Sequence, residues 1–235
     1  MKFIQIISTL ALSLLSCSTQ NKNTTYTDGT SCGCDELEIT FVKSTNTNWE
    51  TPYTNGVKQG ILKEFTLSGI LSSETPYVNG KKQGISKDYY ITGSLASKTT
   101  YANDSAVGTS LGYFLSGALM YEVIYVSGTM QRTETRYYEN GGIHSVASYE
   151  DLEKNGAETV YYESGAKSSE YNWDNGSLIG LHKEYYENGN LKFEETWINH
   201  KLNGTSKYYS ELGVLTQEIT YVDGDITYID GVKQP

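Results

Sequence analysis

Gly108-Thr-Ser-Leu-Gly112 has the G-x-S-x-G spacing of a nucleophile elbow. That motif presents its serine on a strand-turn-helix corner beside activating partners, and no helix is signalled after it here, so the match is read as coincidence. Glu74, Glu122, Glu170, Glu194 and Glu218 recur at one fixed spacing. Evenly spaced carboxylates on an exposed strand form a solvated face more often than a general acid and base pair. Cys32 and Cys34 are two thiols across one residue, half of a zinc site, while His144, His182 and His200 stand far away and isolated. A local disulfide in an exported chain is therefore expected ahead of a metal. No phosphate loop, EF-hand loop or zinc signature is present. The expectation is no enzyme, no metal and no cofactor. Trp173, Trp197, His182 and His200 remain as candidate binding residues, because they fall in the least uniform stretch of the chain. Large amphipathic rings give contact area at small entropic cost and suit either a protein or a sugar.

The elements that must position these residues come from a repeat. Aromatics stand at Tyr53, Tyr77, Tyr101, Tyr125, Tyr149, Trp173, Trp197 and Tyr221, each 24 residues after the last. With these as position zero, Phe65, Tyr89, Tyr113, Tyr137, Tyr161, Tyr185 and Tyr209 fill position 12. Tyr90, Phe114, Tyr138, Tyr162 and Tyr186 fill position 13. Of the 21 tyrosines, 16 lie on these three positions, so the period and not local chemistry explains most of them. Glycine occupies position 16 in all seven copies and position 7 in all but one, where Arg132 replaces it. Position 18 is aliphatic except at Lys167.

Each copy carries two turn signals. Asn-Gly-type pairs occur at positions 2 and 3 (Asn55-Gly56, Asn79-Gly80, Asn175-Gly176) and at 15 and 16 (Asn140-Gly141, Asn188-Gly189). Such pairs favour the two-residue hairpin turn in which both central residues have positive φ. The runs between them are rich in Tyr, Thr, Ile and Val, with no helical period. The expected fold is all-β: an elongated single-layer antiparallel meander of 24-residue β-hairpin repeats, about sixteen strands at roughly 4.8 Å spacing. A two-residue loop at 15 and 16 pairs position 7 with the next copy's position zero, setting each repeated glycine opposite a repeated aromatic. The glycine is then explained by the ring folding over it. The same register predicts positions 13, 18 and zero on one face and position 12 on the other. Asp104 and His200 replace the glycine at position 3 in two copies, which puts those turns in doubt.

Residues 1–16 read as an address. Lys2 is a short basic start, and Phe3 to Leu15 is almost wholly apolar, the length of a signal-peptide core rather than of a membrane span. Leu14-Leu15-Ser16-Cys17 resembles the bacterial lipoprotein signal, which implies removal of the leader and acylation of Cys17. Acyl chains at about 0.8 kcal/mol per buried methylene then hold the chain on a membrane. Ser18, in place of the aspartate that retains lipoproteins at the inner membrane, implies sorting to the outer membrane, on its periplasmic or cell-surface side. Residues 17–36 read as a flexible lipidated tether and 37–235 as the array of seven full copies with terminal half-copies. With 18 basic against 28 acidic side chains the net charge is -10, which argues against nucleic acid as a partner.

Tyr185-Tyr-Glu-Asn-Gly-Asn-Leu191 and Tyr77-Val-Asn-Gly-Lys-Lys-Gln-Gly84 carry the repeat most clearly. They resemble the MORN-variant repeat of many bacterial proteins, among them lipoproteins and the YwqK-type antitoxin-like repeat family. The resemblance implies a scaffold or adaptor. The expected function is a membrane-anchored scaffold binding other proteins at the cell envelope, in the manner of an immunity protein that neutralises its partner. The alternative is a glycan-binding surface lipoprotein.

Overall fold

The computed structural model describes residues 25–26, 36–41 and 47–234, with side chains from Pro52 to Gln234. The signal segment, Cys17, Cys32 and Cys34 lie outside the described residues. All regular structure among the described residues is antiparallel β, as the repeat predicts. The chain divides into two compact units, the first ending at Ala106 and the second beginning at Val107.

In the first unit the segment Thr25–Tyr26 pairs with Leu37 and Glu38, and Glu36–Phe41 pairs with Thr47–Thr54. Hairpins then follow in sequence: Gly60–Thr66 with Leu71–Val78, and Gly84–Tyr89 with Leu95–Ala102. In the second unit the strands pair in chain order, from Leu119–Tyr125 on Gln131–Tyr137 to Asp225–Ile229 on Val232–Lys233, with Leu191–Ile198 pairing both the short Lys201–Leu202 and Gly204–Tyr209. The described strands number 22 rather than about sixteen, because two-residue pieces such as Val57–Lys58 and Lys201–Leu202 are split from their neighbours by bulges.

The first turn forms as expected. Asn55 and Gly56 have φ of 52° and 76°, the double positive φ of a type I′ hairpin. Asp104 and His200 hold φ of 70° and 65° at the second turn residue, so both turns survive the loss of glycine, at the strain a Cβ incurs there.

The second turn differs from the expected two-residue loop. The Tyr138 amide donates to the Gly142 carbonyl and the Gly141 amide to the Tyr138 carbonyl, and the same pair of bonds recurs at Tyr90, Phe114, Tyr162 and Tyr186. Position 16 is a glycine with φ near 80–90° (Gly69, 80°; Gly165, 88°). This is a three-residue loop, a β-turn closed by a left-handed glycine, for which Asn-Gly is equally suited. Position 12 therefore pairs with 18, as in Phe65↔Leu71. A bulge at position 19 then restores the expected register, so that Glu64↔Ser73 and Gly60↔Tyr77 pair as predicted.

That bulge also corrects the faces. Because the side-chain period is two, one extra residue moves everything on its turn side to the opposite face. Positions 8, 10, 12, 18, 21 and 23 share one face, and 7, 9, 11, 20, 22 and zero share the other. Among the described residues the ten buried side chains (Ser73, Thr75, Ser110, Val123, Ser145, Ala147, Glu158, Ser169, His182, Ser206) all stand at positions 9, 20 or 22. We call this the inner face. Its core is built of small and polar residues and not of the aromatic ladders.

The repeated aromatics take three different roles. Position 12 hydroxyls donate to glutamates of the preceding copy on the outer face: Tyr89 to Glu74 at 2.9 Å and Tyr185 to Glu170 at 2.6 Å. Position 13 ties one hairpin tip to the next, since Tyr138, Tyr162 and Tyr186 donate to the carbonyls of Tyr161, Tyr185 and Tyr209 at 2.7–2.8 Å. Position zero lies on the inner face.

The glycine at position 7 has a different cause from the one expected. It carries a positive φ (Gly60, 110°; Gly156, 98°) where two extra residues bulge between the short first turn and the main register, as between Tyr53↔Lys58 and Glu50↔Lys63 or between Tyr149↔Lys154 and Ala147↔Glu158. An added Cβ at Gly60 would meet Pro52 at 3.0 Å, not the ring of Tyr77. The exception proves the cause. In the copy of Arg132 a longer connection, closed by the Val126 amide on the Gln131 carbonyl, replaces the tight turn. The register from Tyr121↔Arg136 to Tyr125↔Arg132 then runs without a bulge, and position 7 is free to be an arginine.

Candidate functional site

The inner face changes character in the second unit. The pair at positions 9 and 22 is Glu158↔Tyr171 in the fifth copy and His182↔Glu195 in the sixth. Elsewhere on this face stand residues such as Ser110 opposite Val123 and Ser206 opposite Ile219. Three adjacent strands, Lys167–Asp174, Ser177–Tyr185 and Leu191–Ile198, thus bring Tyr171, Trp173, His182, Phe193, Glu195 and Trp197 together on one side.

The rings form a continuous chain. Tyr171 lies 5.9 Å from Trp173 and stacks on His182 at 4.4 Å with an interplanar angle of 20°. Phe193 meets the His182 ring edge-on at 5.1 Å and continues to Tyr208 at 6.0 Å. Such offset and edge-to-face contacts are the preferred aromatic geometries.

Two carboxylates are wired into it. The Trp173 indole donates to Glu158 Oε2 at 2.9 Å, and Lys154 Nζ bonds both Glu158 oxygens at 2.6 and 2.7 Å. The Trp197 indole donates to Glu195 Oε1 at 2.9 Å, the same oxygen that lies 3.1 Å from His182 Nδ1. Burial pushes the Glu195 carboxyl up, but the hydrogen bonds from His182 and Trp197 outweigh it and hold it below the ordinary carboxylate value. Burial raises the Tyr208 hydroxyl to about 12, with the neighbouring Tyr221 adding to the shift. His182 is only 6% exposed and its Nε2 has no partner within the protein. A buried polar atom left in this state is uncommon, and among the described residues it is shared with Ser110 Oγ.

Of the candidate residues, Trp173, Trp197 and His182 meet in this cluster. His200 does not: it sits in an exposed turn, with Nε2 3.5 Å from Ser177 Oγ. His144 packs edge-on against Tyr138 at 4.9 Å, well separated in the chain from the cluster. Sequence reasoning missed Glu158, Tyr171, Phe193 and Glu195. Their signal is available in the sequence, since Tyr171 and Phe193 are aromatics that fall off the 24-residue positions. Ser110 of the elbow-like motif is buried in mid-strand, within Ser105–Tyr113, where a nucleophile elbow requires a turn into a helix.

On the outer face an open trough is lined by Leu181, Glu194, Thr196, Thr205, Lys207, Glu218, Thr220 and Tyr228. Lys207 and Glu194 approach at 3.8 Å across it.

Residues 133–151, 178–199 and 202–223 match the MORN repeat variant. All three stretches lie in the second unit, and the last two overlap the cluster. The comparison with curated proteins returned no match. Among solved structures, the crystal structure of TarM shows 12% identity over 44% of this chain, with a TM-score of 0.31. The aligned part spans 20% of the TarM chain. The chain is a repeat protein whose matched copies are of the MORN-variant type.

Proposed function

We propose that this chain is a membrane-anchored scaffold at the bacterial cell envelope that binds another protein through the inner face of its fifth to seventh copies, as an immunity-like neutraliser would. The observation that carries this reading is the replacement of small inner-face residues by Tyr171, His182, Phe193 and Glu195 between two tryptophans. At positions 9, 20 and 22 the remaining copies carry one ring, Tyr121, and it covers the cross-strand Gly112. The fifth and sixth copies instead stack their rings on one another, which a copy that served only to pack on its neighbours does not need. Half-buried Trp and Tyr beside charged groups are the residue types that dominate interface energies. The anchor rests on the Leu14 to Cys17 signal.

A second reading has its own support. The outer trough offers three threonines, two carboxylates, a lysine and Tyr228, hydroxyl and charged groups beside a ring that suit a glycan. Capture from envelope extract, run beside a glycan array with the wild type, Trp197→Ala and Thr205→Val, separates the two. Protein capture lost with Trp197→Ala supports the first reading, and array binding lost with Thr205→Val supports the second.

A further inference from the structure

Four rings at position zero have a cation of the preceding copy set over them. Lys58 Nζ lies 4.9 Å from the Tyr77 centroid and Lys82 Nζ 4.9 Å from that of Tyr101. The Arg132 guanidinium lies 4.4 Å from Tyr149, and Lys154 Nζ 4.8 Å from Trp173. At Trp173 the arrangement is complete: the indole donates to Glu158, and the same carboxylate holds the ammonium that lies over the ring.

One copy later the arrangement recurs with one part changed. The Trp197 indole donates to a carboxylate, now Glu195, on the other strand of the same cross-strand pair. Leu178 stands at the repeat position from which Lys154 reaches Trp173, and among the described residues no cation lies over Trp197. Both hydrogen bonds to Glu195 fall on Oε1, so Oε2 accepts none among the described residues. The ring and the charge are in place, and the chain supplies no ammonium to join them.

We propose that the Trp197 ring and the Glu195 carboxylate form a receptor for a lysine or arginine side chain of the partner protein. The proposal rests on the reading of this face as a protein-binding surface and adds the chemistry of what binds. Charge favours it: the chain carries -10, and Glu163, Glu187 and Glu211 stand at the hairpin tips of the same three copies. A basic partner is steered toward such a field. Cation-π attraction is strongest over Trp and grows when the pair is shielded from water.

The test uses the full-length chain with its tryptophans labelled for amide and indole NMR; the sequence holds three, so three indole signals are followed. The probes are Nα-acetyl-lysine methylamide and its neutral counterpart Nα-acetyl-norleucine methylamide. The lysine probe is expected to shift the Trp197 indole signal saturably and the norleucine probe to bind about fivefold or more weakly. The Trp173 signal, whose ring Lys154 already covers, stays in place. Leu178→Lys supplies an internal cation and suppresses the response, with the remaining signals reporting an intact fold. Equal response to both probes, equal movement of Trp173, no response at all, or an undiminished response in Leu178→Lys would each overturn the proposal. If no probe is preferred but Trp197→Ala still loses the captured protein, the protein-binding reading stands and the cation receptor falls. If the lysine response is present and partner binding survives Trp197→Ala, only the protein-binding reading falls.

Discussion

The ring of Tyr121 lies where a side chain at Gly112 would stand. The two residues are directly opposed across the strands Ser105–Tyr113 and Leu119–Tyr125, and a Cβ added at Gly112 would enter the ring far inside van der Waals contact. An aromatic over a cross-strand glycine, expected at position 7, thus occurs at this different pair on the inner face. Gly112 has an ordinary φ, so its cost of substitution is steric alone. Gly112→Ala should lower stability by about 1–3 kcal/mol, seen in the urea midpoint, and Tyr121→Ala made together with it should recover part of that loss.

Position 7 tests the backbone explanation. Gly204 has φ of 97° and no heavy atom within 4 Å of an added Cβ. Gly204→Ala should therefore cost about 1–3 kcal/mol through the backbone alone. Arg132, without the bulge, should tolerate alanine with a loss of about 0.5–1 kcal/mol, the worth of its contact over Tyr149. Equal losses at the two positions, measured by urea unfolding, would remove the bulge as the reason for the glycine.

The period, the hairpins and the pairing of position 7 with position zero were legible because turn and aromatic signals recur seven times. The second turn was misjudged because Asn140-Gly141 fits either a two-residue loop or a β-turn with a left-handed glycine, and the residue types do not discriminate between them. From that single residue the assignment of faces followed wrongly, since Leu71 pairs with Phe65 and not with position 13. The site was half legible. Trp173 and Trp197 stood out as substitutions in a tyrosine series, but the face they share is lined by Ser73, Ser97 and Ser145 in other copies, and small polar residues give no sign of being a core.

The pH dependence follows from two inner- and outer-face groups. Glu195 is held below its ordinary value of 4.5, so its charged form favours the fold. That contribution is present above the unfolded value and fades as pH falls through the lower folded one. Glu195→Gln should flatten the loss of stability as the pH falls below the ordinary carboxylate range.

Tyr185 behaves in the opposite sense. Burial first, then its hydrogen bond to Glu170, raises its hydroxyl from 10.0 to about 12. Its contribution is complete below the unfolded value and is lost as pH rises through the folded one. Between pH 10 and 12 the wild type should lose stability more steeply than Tyr185→Phe, as followed by the urea midpoint at each pH.

The anchor is tested by fractionation. If the proposed anchor holds, Cys17→Ser should move the protein from the membrane pellet to the soluble fraction, because the proposal places the acyl groups on that one residue. Retention of the variant in the pellet would show another mode of attachment.

Whether the fifth to seventh copies bind or merely stack is decided at position zero. Tyr125 and Trp197 hold the same repeat position opposite a glycine, Tyr125 on Gly108 and Trp197 on Gly180. Only the second adjoins the aromatic and carboxylate cluster. The decisive measurement is the affinity of Tyr125→Ala and Trp197→Ala for the protein recovered from envelope extract, each referred to its own urea midpoint. The proposed binding role predicts that Trp197→Ala weakens binding by about tenfold or more beyond any effect of stability, while Tyr125→Ala changes stability alone. Losses of binding that are equal, or that track the two urea midpoints, would make Trp197 a larger tyrosine in a structural ladder.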